Sequence, residues 1–252
     1  MIFNKNEKLA KDAEIHTMRM EKYHAPEILY SVNNSIIYDD FKEIINEKNK
    51  TNNIIITTRD TVSEIVYRYN FSKDKKIIAL NFADFYSPGG GYLIGLDTQE
   101  ESLCRYSDLY NVLSRFLDDF YIKNDDLCNN YTYLNRGIYS PKIIFEKNNH
   151  TAIADIISVA APNYKAAILY NNISEEENNT ILDSRIKFIL NIAKHHNADI
   201  LILGAFGCGE FGNDPIIVSK LFKKYLNMYH FDEVVFAIPP SKNSIIFNDT
   251  FL

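Results

Sequence analysis

Leu80-Asn-Phe-Ala-Asp-Phe-Tyr-Ser-Pro-Gly-Gly-Gly-Tyr-Leu-Ile-Gly-Leu-Asp-Thr-Gln-Glu-Glu-Ser-Leu-Cys-Arg-Tyr-Ser-Asp-Leu-Tyr110 is the stretch around which this chain is organised. The apolar run Ile77 to Phe82 reads as a buried strand. Pro88 and three consecutive glycines, Gly89, Gly90 and Gly91, then make a turn-rich loop. After seven more residues Gln99, Glu100 and Glu101 open a helix, expected to run from Thr98 to about Phe120. Its apolar face is Leu103, Tyr106, Tyr110, Leu113 and Leu117. A strand that ends in glycines and feeds two adjacent carboxylates at a helix start is a candidate active site.

The rest of the chain repeats the strand–loop–helix theme. Ile54-Ile55-Ile56 reads as a short buried strand. Thr58 or Asp60 is placed to cap a helix through Tyr69. Arg136 to Glu146 and Thr151 to Ala160 are strands on either side of an Asn148-Asn149 turn. Glu175 to Asn197 is a long amphipathic helix with Ile181, Ile186, Leu190 and Ile192 on its buried side. Asp199 to Phe206 is a strand, and a second glycine loop follows, Gly207-Cys208-Gly209-Glu210-Phe211-Gly212. A helix from Pro215 to Met228 and a strand from Glu233 to Ile238 complete the pattern. Strands alternating with helices, several apolar on both faces, predict an α/β fold with a mixed, mostly parallel sheet covered on both sides. Ligands of such folds bind at the C-terminal ends of strands, where both glycine loops lie.

Residues 1–50 have a different texture. They are charged and rich in Asn and Lys, with helices expected at Leu9–Tyr23 and Phe41–Asn49 and an ambiguous stretch at Ile28–Tyr38. They are expected to form a helical extension docked on a domain of residues 51–252.

Composition bounds the partners. The 252 residues are 46% hydrophobic and 24% charged, with a net charge of −6. This carries no footprint of a general nucleic-acid binder. An anionic ligand must therefore be held locally, by backbone amides rather than by a basic field. Cys104, Cys128 and Cys208 are odd in number and widely spaced, which fits a reducing compartment. No cysteine or histidine pair has metal-ligand spacing, and neighbouring His195 and His196 read as a surface pair. There is no signal-peptide pattern, and no apolar run approaches the roughly 20 residues of a membrane span. A cytoplasmic monomer without metal or cofactor is expected.

Glycine lets the main chain approach a ligand closely. The amides of Gly207 to Gly212, with the helix start near Asp214 or Pro215, are suited to a phosphate or pyrophosphate. The loops match neither GxGxxG nor the P-loop. Glu100 and Glu101 lie about 100° apart around a helix, so one of them faces the reaction centre. Their repulsion raises the pKa of one, and a carboxylic acid still protonated near neutral pH can protonate a leaving oxygen. Acids in a first helical turn also simply complement the helix dipole.

Taken together these residues resemble the bacterial-type poly(ADP-ribose) glycohydrolases, a branch of the macrodomain superfamily. The resemblance rests on Gly89-Gly90-Gly91, a seven-residue spacer and Gln99-Glu100-Glu101. Asn81-Phe82-Ala83, Pro88 and Ser102-Leu103-Cys104-Arg105 flank it. Further blocks agree: Ile138-Tyr139-Ser140-Pro141, Ala161-Pro162-Asn163, Leu203 to Gly209 with Phe211, and Phe236-Ala237-Ile238. The resemblance implies a macrodomain-like three-layer α/β/α fold. It implies hydrolysis of the ribose–ribose O-glycosidic bond of poly(ADP-ribose), from chain ends, with ADP-ribose as product and no cofactor.

The same resemblance assigns roles. Glu101 would be the catalytic acid/base and Glu100 would hold ribose hydroxyls. Gln99 would orient the glutamates or contact the ligand. Gly89, Gly90 and Gly91 would wrap the pyrophosphate and the distal ribose. Gly207, Cys208 and Gly209 would offer amides to the pyrophosphate, Phe211 would pack against ribose or adenine, and Asn81 would contact the terminal ribose. Asp84 and Glu210 depart from the pattern and would add negative charge near a dianionic ligand. The glutamates do not choose the acceptor. A modified nucleic-acid base or a protein side chain is an alternative, and a non-catalytic ADP-ribose reader is another.

Overall fold

The computed structural model of the protein describes residues 5–42 and 51–252. Lys5–Asn34 form helix α1, which bends at His24 (φ −128°), two residues before Pro26. Proline removes a ladder donor and crowds the preceding turn, so a bend is expected there. The helix foreseen at Leu9–Tyr23 is part of α1. The ambiguous stretch after Ile28 divides between the end of α1 and a short strand, β1 (Ile36–Asp39). The helix foreseen at Phe41–Asn49 lies, beyond the non-helical Phe41 and Lys42, outside the described residues.

Six further strands complete one sheet: β2 (Asn53–Thr57), β3 (Ile77–Phe82), β4 (Arg136–Lys147), β5 (His150–Val159), β6 (Ile200–Leu203) and β7 (Glu233–Ala237). Their order is β1-β4-β5-β3-β6-β7-β2. The run β5-β3-β6-β7-β2 is parallel, and β4 and β1 add antiparallel strands on one side. Asn148 and Asn149 take left-handed φ values of 51° and 61°, which close the β4–β5 hairpin with the twist that such hairpins favour. β2 is at the sheet edge, so Ile54, Ile55 and Ile56 are half-buried rather than buried.

Side chains alternate across the sheet and face two separate helical layers. Ile78, Leu80, Ile157, Leu201, Leu203 and Phe236 pack against α6 (Glu175–His195), α7 (Pro215–Leu226) and α8 (Lys242–Phe251). Ile77, Ala79, Ile156, Ile200, Ile202 and Val235 face α1, α2 (Thr61–Phe71), α3 (Gln99–Arg105) and α4 (Leu109–Leu113). This is the three-layer arrangement expected from the alternation of elements. Asp60 caps α2 by accepting the Ser63 amide at 2.8 Å, and α5 (Tyr164–Asn171) follows the end of β5.

Two expectations are corrected. The helix predicted from Thr98 to Phe120 breaks after Arg105. Tyr106 to Asp108 leave the helix to cover the part of β4 that β1 does not reach. Ser107 bridges Phe145, the Tyr106 carbonyl accepts the Glu146 amide at 2.8 Å, and the Asp108 carboxylate accepts the Ile144 amide at 2.9 Å. Satisfying an open strand edge outweighs local helical periodicity here. After α4 the chain continues in short 3₁₀ and π turns to Leu127, and Leu117 is exposed.

The second correction concerns the histidines. His195 is exposed, but His196 stacks on Tyr139 with ring centroids 3.4 Å apart and shares a 2.8 Å hydrogen bond with the Tyr38 hydroxyl. Burial, then the neighbouring His195, pushes the His196 pKa down to about 4.

Candidate active site

β3 and β6 pair only as far as Ala79↔Ile202, whereas β3 continues beside β5 to Phe82↔Val159. Parallel strands that part in this way open a crevice at their C-terminal ends. The side-chain amide of Gln99 fills the top of the split. Its Oε1 accepts the Phe82 amide at 2.9 Å, and its Nε2 donates to the Leu80 carbonyl at 2.9 Å and to Thr61 Oγ1 at 3.2 Å. Gln99 thus takes the place of a neighbouring strand and ties α3 to β3.

The first glycine loop is tightly built. The Asp84 carboxylate accepts the amides of Tyr86 (2.7 Å) and Ser87 (2.8 Å), and the Ser87 carbonyl accepts the Gly90 amide (3.1 Å). Asp84 is therefore a turn-former as well as a cavity-lining acid, and burial raises its pKa. Gly90 has φ +55°, and a Cβ there would meet Glu101 Oε1 at 2.7 Å and Glu100 Oε2 at 3.0 Å. Both the conformation and the space demand glycine.

Thr98 and Glu101 form a capping box at the start of α3. Glu101 Oε2 accepts the Thr98 amide at 3.0 Å and also its hydroxyl, while Oε1 accepts the Gly91 amide at 2.8 Å. The reciprocal cap satisfies helix-end donors and fixes this carboxylate against the glycine loop. Glu100 is held from the other side. Its Oε1 accepts from Asn81 Nδ2 (2.9 Å) and its Oε2 from the Asp84 amide (2.7 Å). Its pKa is raised well above the usual carboxylate range. Burial is the main cause; the charges of Asp84 and Glu101 add to it.

The second loop is pinned from behind. Gly207 has φ +71°, with Asn213 Nδ2 2.5 Å and Ala161 Cβ 2.6 Å from where its Cβ would be. Asn213 donates to the Pro162 and Gly207 carbonyls at 2.9 and 3.0 Å and accepts from Asn178 at 2.9 Å. Asp214 caps α7 through the Ile216 amide. No backbone carbonyl among the described residues takes the Gly209 or Glu210 amide, and a Cβ at Gly209 would meet open space.

Both loops line one cavity of about 680 Å³. Gly90, Gly91, Gln99, Glu100 and Glu101 reach it from the first loop and α3; Gly207, Gly209 and Phe211 reach it from the second. The remaining sequence-predicted residues sit behind this surface. Asn81 is fully buried and bonds to Glu100 and to Ser158 (3.0 Å). Gly89 packs on Cys104 and Tyr110. Cys208 turns its thiol to the Phe206 carbonyl at 3.5 Å, and its amide bonds to the Ala205 carbonyl at 3.1 Å.

Several lining residues were not foreseen: Asp60 and Thr61 at the start of α2, and Pro239, Ser241 and Asn243 after β7. Their signal was available, because both segments follow the C-terminal ends of parallel strands. Thr98-x-x-Glu101 was a readable capping box as well. Among the described residues no cluster of three or more His, Cys, Asp or Glu could hold a metal ion, and no helix is long and apolar enough to cross a membrane.

The family model for the catalytic domain of microbial-type PARG matches residues 5–148. The chain belongs to this family. The match includes the triple glycine, Gln99, Glu100 and Glu101. Among solved structures, poly(ADP-ribose) glycohydrolase from Thermomonospora curvata bound to the inhibitor ADP-HPD is 26% identical, with a TM-score of 0.84. The alignment covers 97% of this chain and 100% of that one. The Deinococcus radiodurans poly(ADP-ribose) glycohydrolase in complex with ADP-ribose is 25% identical, with a TM-score of 0.79, over 89% of this chain and 97% of that one. No curated protein matches the chain. The mixed seven-stranded sheet between helical layers is thus the macrodomain-like fold of these microbial enzymes.

Proposed function

We propose that this protein is a poly(ADP-ribose) glycohydrolase, a glycosidase-type hydrolase that cuts the ribose–ribose O-glycosidic bond and releases ADP-ribose. One observation carries the reading. Two glycine loops and the capped Glu101 meet in a single cavity, in a chain of the microbial-type PARG family. The cavity lies within the roughly 300–1,000 Å³ of small-molecule sites, which supports enclosure of one ADP-ribose unit and release from chain ends. The T. curvata enzyme with its inhibitor and the D. radiodurans enzyme with ADP-ribose support the same ligand in this fold.

In this reading Glu101 protonates the leaving ribose oxygen as the anomeric C–O bond breaks. Positive charge develops at the anomeric carbon. The resulting Glu101 carboxylate then takes a proton from the water that attacks that carbon. Glu100, biased toward its neutral form by burial, holds ribose hydroxyls, and Asn81 keeps Glu100 in place. The amides around Gly207 and Gly209 hold the diphosphate, and Phe211 packs on the ribose or adenine. Gln99 acts by fixing α3 to β3. The residues assigned to this chemistry all lie within 51–252, and of the extension before them α1 packs on that domain and β1 joins its sheet. The three free cysteines fit a cytoplasmic setting, and we place the protein there as a monomer.

The test is release of ADP-ribose from purified poly(ADP-ribose) by wild type and by Glu101→Gln. General acid–base catalysis is worth roughly 10²–10⁴-fold, so a loss of that size with ADP-ribose binding retained supports the assignment. Binding without release by the wild type would replace the glycohydrolase with a hydrolase for another acceptor or a reader.

A further inference from the structure

The segment that carries the triple glycine is gripped from outside the cavity by α1. Tyr92, the residue after Gly91, is fully buried. Its hydroxyl donates to the Ala13 carbonyl at 2.9 Å and lies 3.4 Å from Thr17 Oγ1. Burial pushes this phenol up to about 12, so it remains a donor. Arg105, the last residue of α3, donates to the Leu9 carbonyl at 3.2 Å and to the Leu96 carbonyl at 2.8 Å, and its guanidinium lies 5.5 Å from the Tyr92 ring. Gly95, at φ +80°, leaves no room for a Cβ against the Asn6 carbonyl.

Asn6, Leu9, Ala13 and Thr17 recur at helical spacing, so these contacts come from one face of α1. They reach the loop on both sides of the bonds that hold Glu101. Gly91, whose amide binds Glu101 Oε1, precedes Tyr92; Thr98, which caps Glu101, follows Leu96 by two residues. From Glu101 to Arg105 is one turn of α3.

We infer that Tyr92 and Arg105 are positioning residues that lock the glycine loop and α3 to α1, and that this lock sets the placement of Glu101 against Gly91. The inference rests on the proposed role of Glu101. Neither side chain is among the cavity lining, so both act through the loop. A carboxylate displaced by about 1 Å loses on the order of 10²-fold in rate, and loss of one anchor is expected to give part of that.

The experiment compares full-length wild type, Tyr92→Phe and Arg105→Lys by steady-state ADP-ribose release and by hydrogen exchange of peptides spanning residues 89–98 and 77–82. Tyr92→Phe keeps the buried ring and removes only the hydroxyl, and Arg105→Lys keeps the charge. The expected result is a kcat lowered roughly ten-fold, with KM changed less than kcat. Exchange in 89–98 speeds up while that in 77–82 stays as in wild type. Either wild-type kcat or unchanged exchange in 89–98 overturns the inference, and so does exchange that rises equally in both peptides. A wild type that binds ADP-ribose but releases none removes the proposed activity instead, and the exchange contrast then decides the lock by itself.

Discussion

The backbone of Gly90 faces the carboxylate of Glu101 with no room between them: a Cβ on the glycine would lie 2.7 Å from Glu101 Oε1. Gly90 also sits at φ +55°, a region that costs an L-residue about 1–2 kcal/mol. Gly90→Ala therefore pushes Glu101 off the Gly91 amide and strains the loop together. We expect ADP-ribose release to fall on the order of 10²-fold, and the unfolding free energy to fall by about 1–2 kcal/mol. Gly209→Ala is the control for stability, because its Cβ would meet no protein atom. Equal unfolding free energies of the two alanine variants would remove the steric argument.

Gln99→Leu tests the split between β3 and β6. The leucine removes the side-chain hydrogen bonds made to the Leu80 carbonyl and the Phe82 amide on that side of the strand. A buried polar group left unpaired costs about 1–3 kcal/mol, and about 2 kcal/mol corresponds to roughly 4–8 °C in Tm for a chain of this size. Thermal unfolding by circular dichroism reads the result. A Tm within error of wild type would mean that Gln99 is not the tie between α3 and β3.

The His196 ring predicts acid sensitivity away from the cavity. Its folded-state pKa is about 4, below the usual 6.5, so the unfolded chain binds this proton more readily. The stability it contributes is present above pH 6.5 and is lost as pH falls toward 4. His196→Phe retains an aromatic ring to stack on Tyr139 and removes the titration. Its Tm should decline less than that of wild type between pH 6.5 and 4. Parallel declines would show that His196 does not set this slope.

Much of this was legible because it is local. Ile77–Phe82, Asn148-Asn149 and the cap at Asp60 follow from apolar runs, turn chemistry and helix-end donors, and the spacing of the triple glycine from Glu100 and Glu101 drew attention to the cavity. What escaped the sequence was set at a distance. Tyr106–Asp108 read as helix because their periodicity is helical, and only the uncovered edge of β4 takes them out of it. Asn81 reads as a contact of the terminal ribose and Gln99 as orienting the glutamates or contacting the ligand; the bond from Asn81 to Glu100 and those from Gln99 to β3 depend on packing that the sequence does not display. The repulsion between adjacent glutamates was visible, whereas the burial that dominates Glu100 is a property of the packed core.

Glu100→Gln tests that burial through its sign. The folded state raises the Glu100 pKa, so folding favours the protonated acid. Below the unfolded-state pKa both states hold the proton and nothing is lost; as pH rises from there toward the raised folded value, the unfolded chain ionises first and stability falls. A glutamine at this position is neutral at every pH. Its new amide donor also has a partner, because Asn81 Oδ1 is buried without a hydrogen bond among the described residues. A flipped Asn81 amide would accept from that introduced donor and from the Ser158 hydroxyl, while the introduced side-chain oxygen still accepts the Asp84 amide. Glu100→Gln should therefore match wild type near pH 4 and become the more stable protein toward pH 8, with reduced ADP-ribose release if the carboxyl group holds ribose hydroxyls. Tm measured for both proteins across that range decides it. A variant less stable than wild type by the same margin at every pH would mean that Glu100 is not a raised carboxyl in the folded protein.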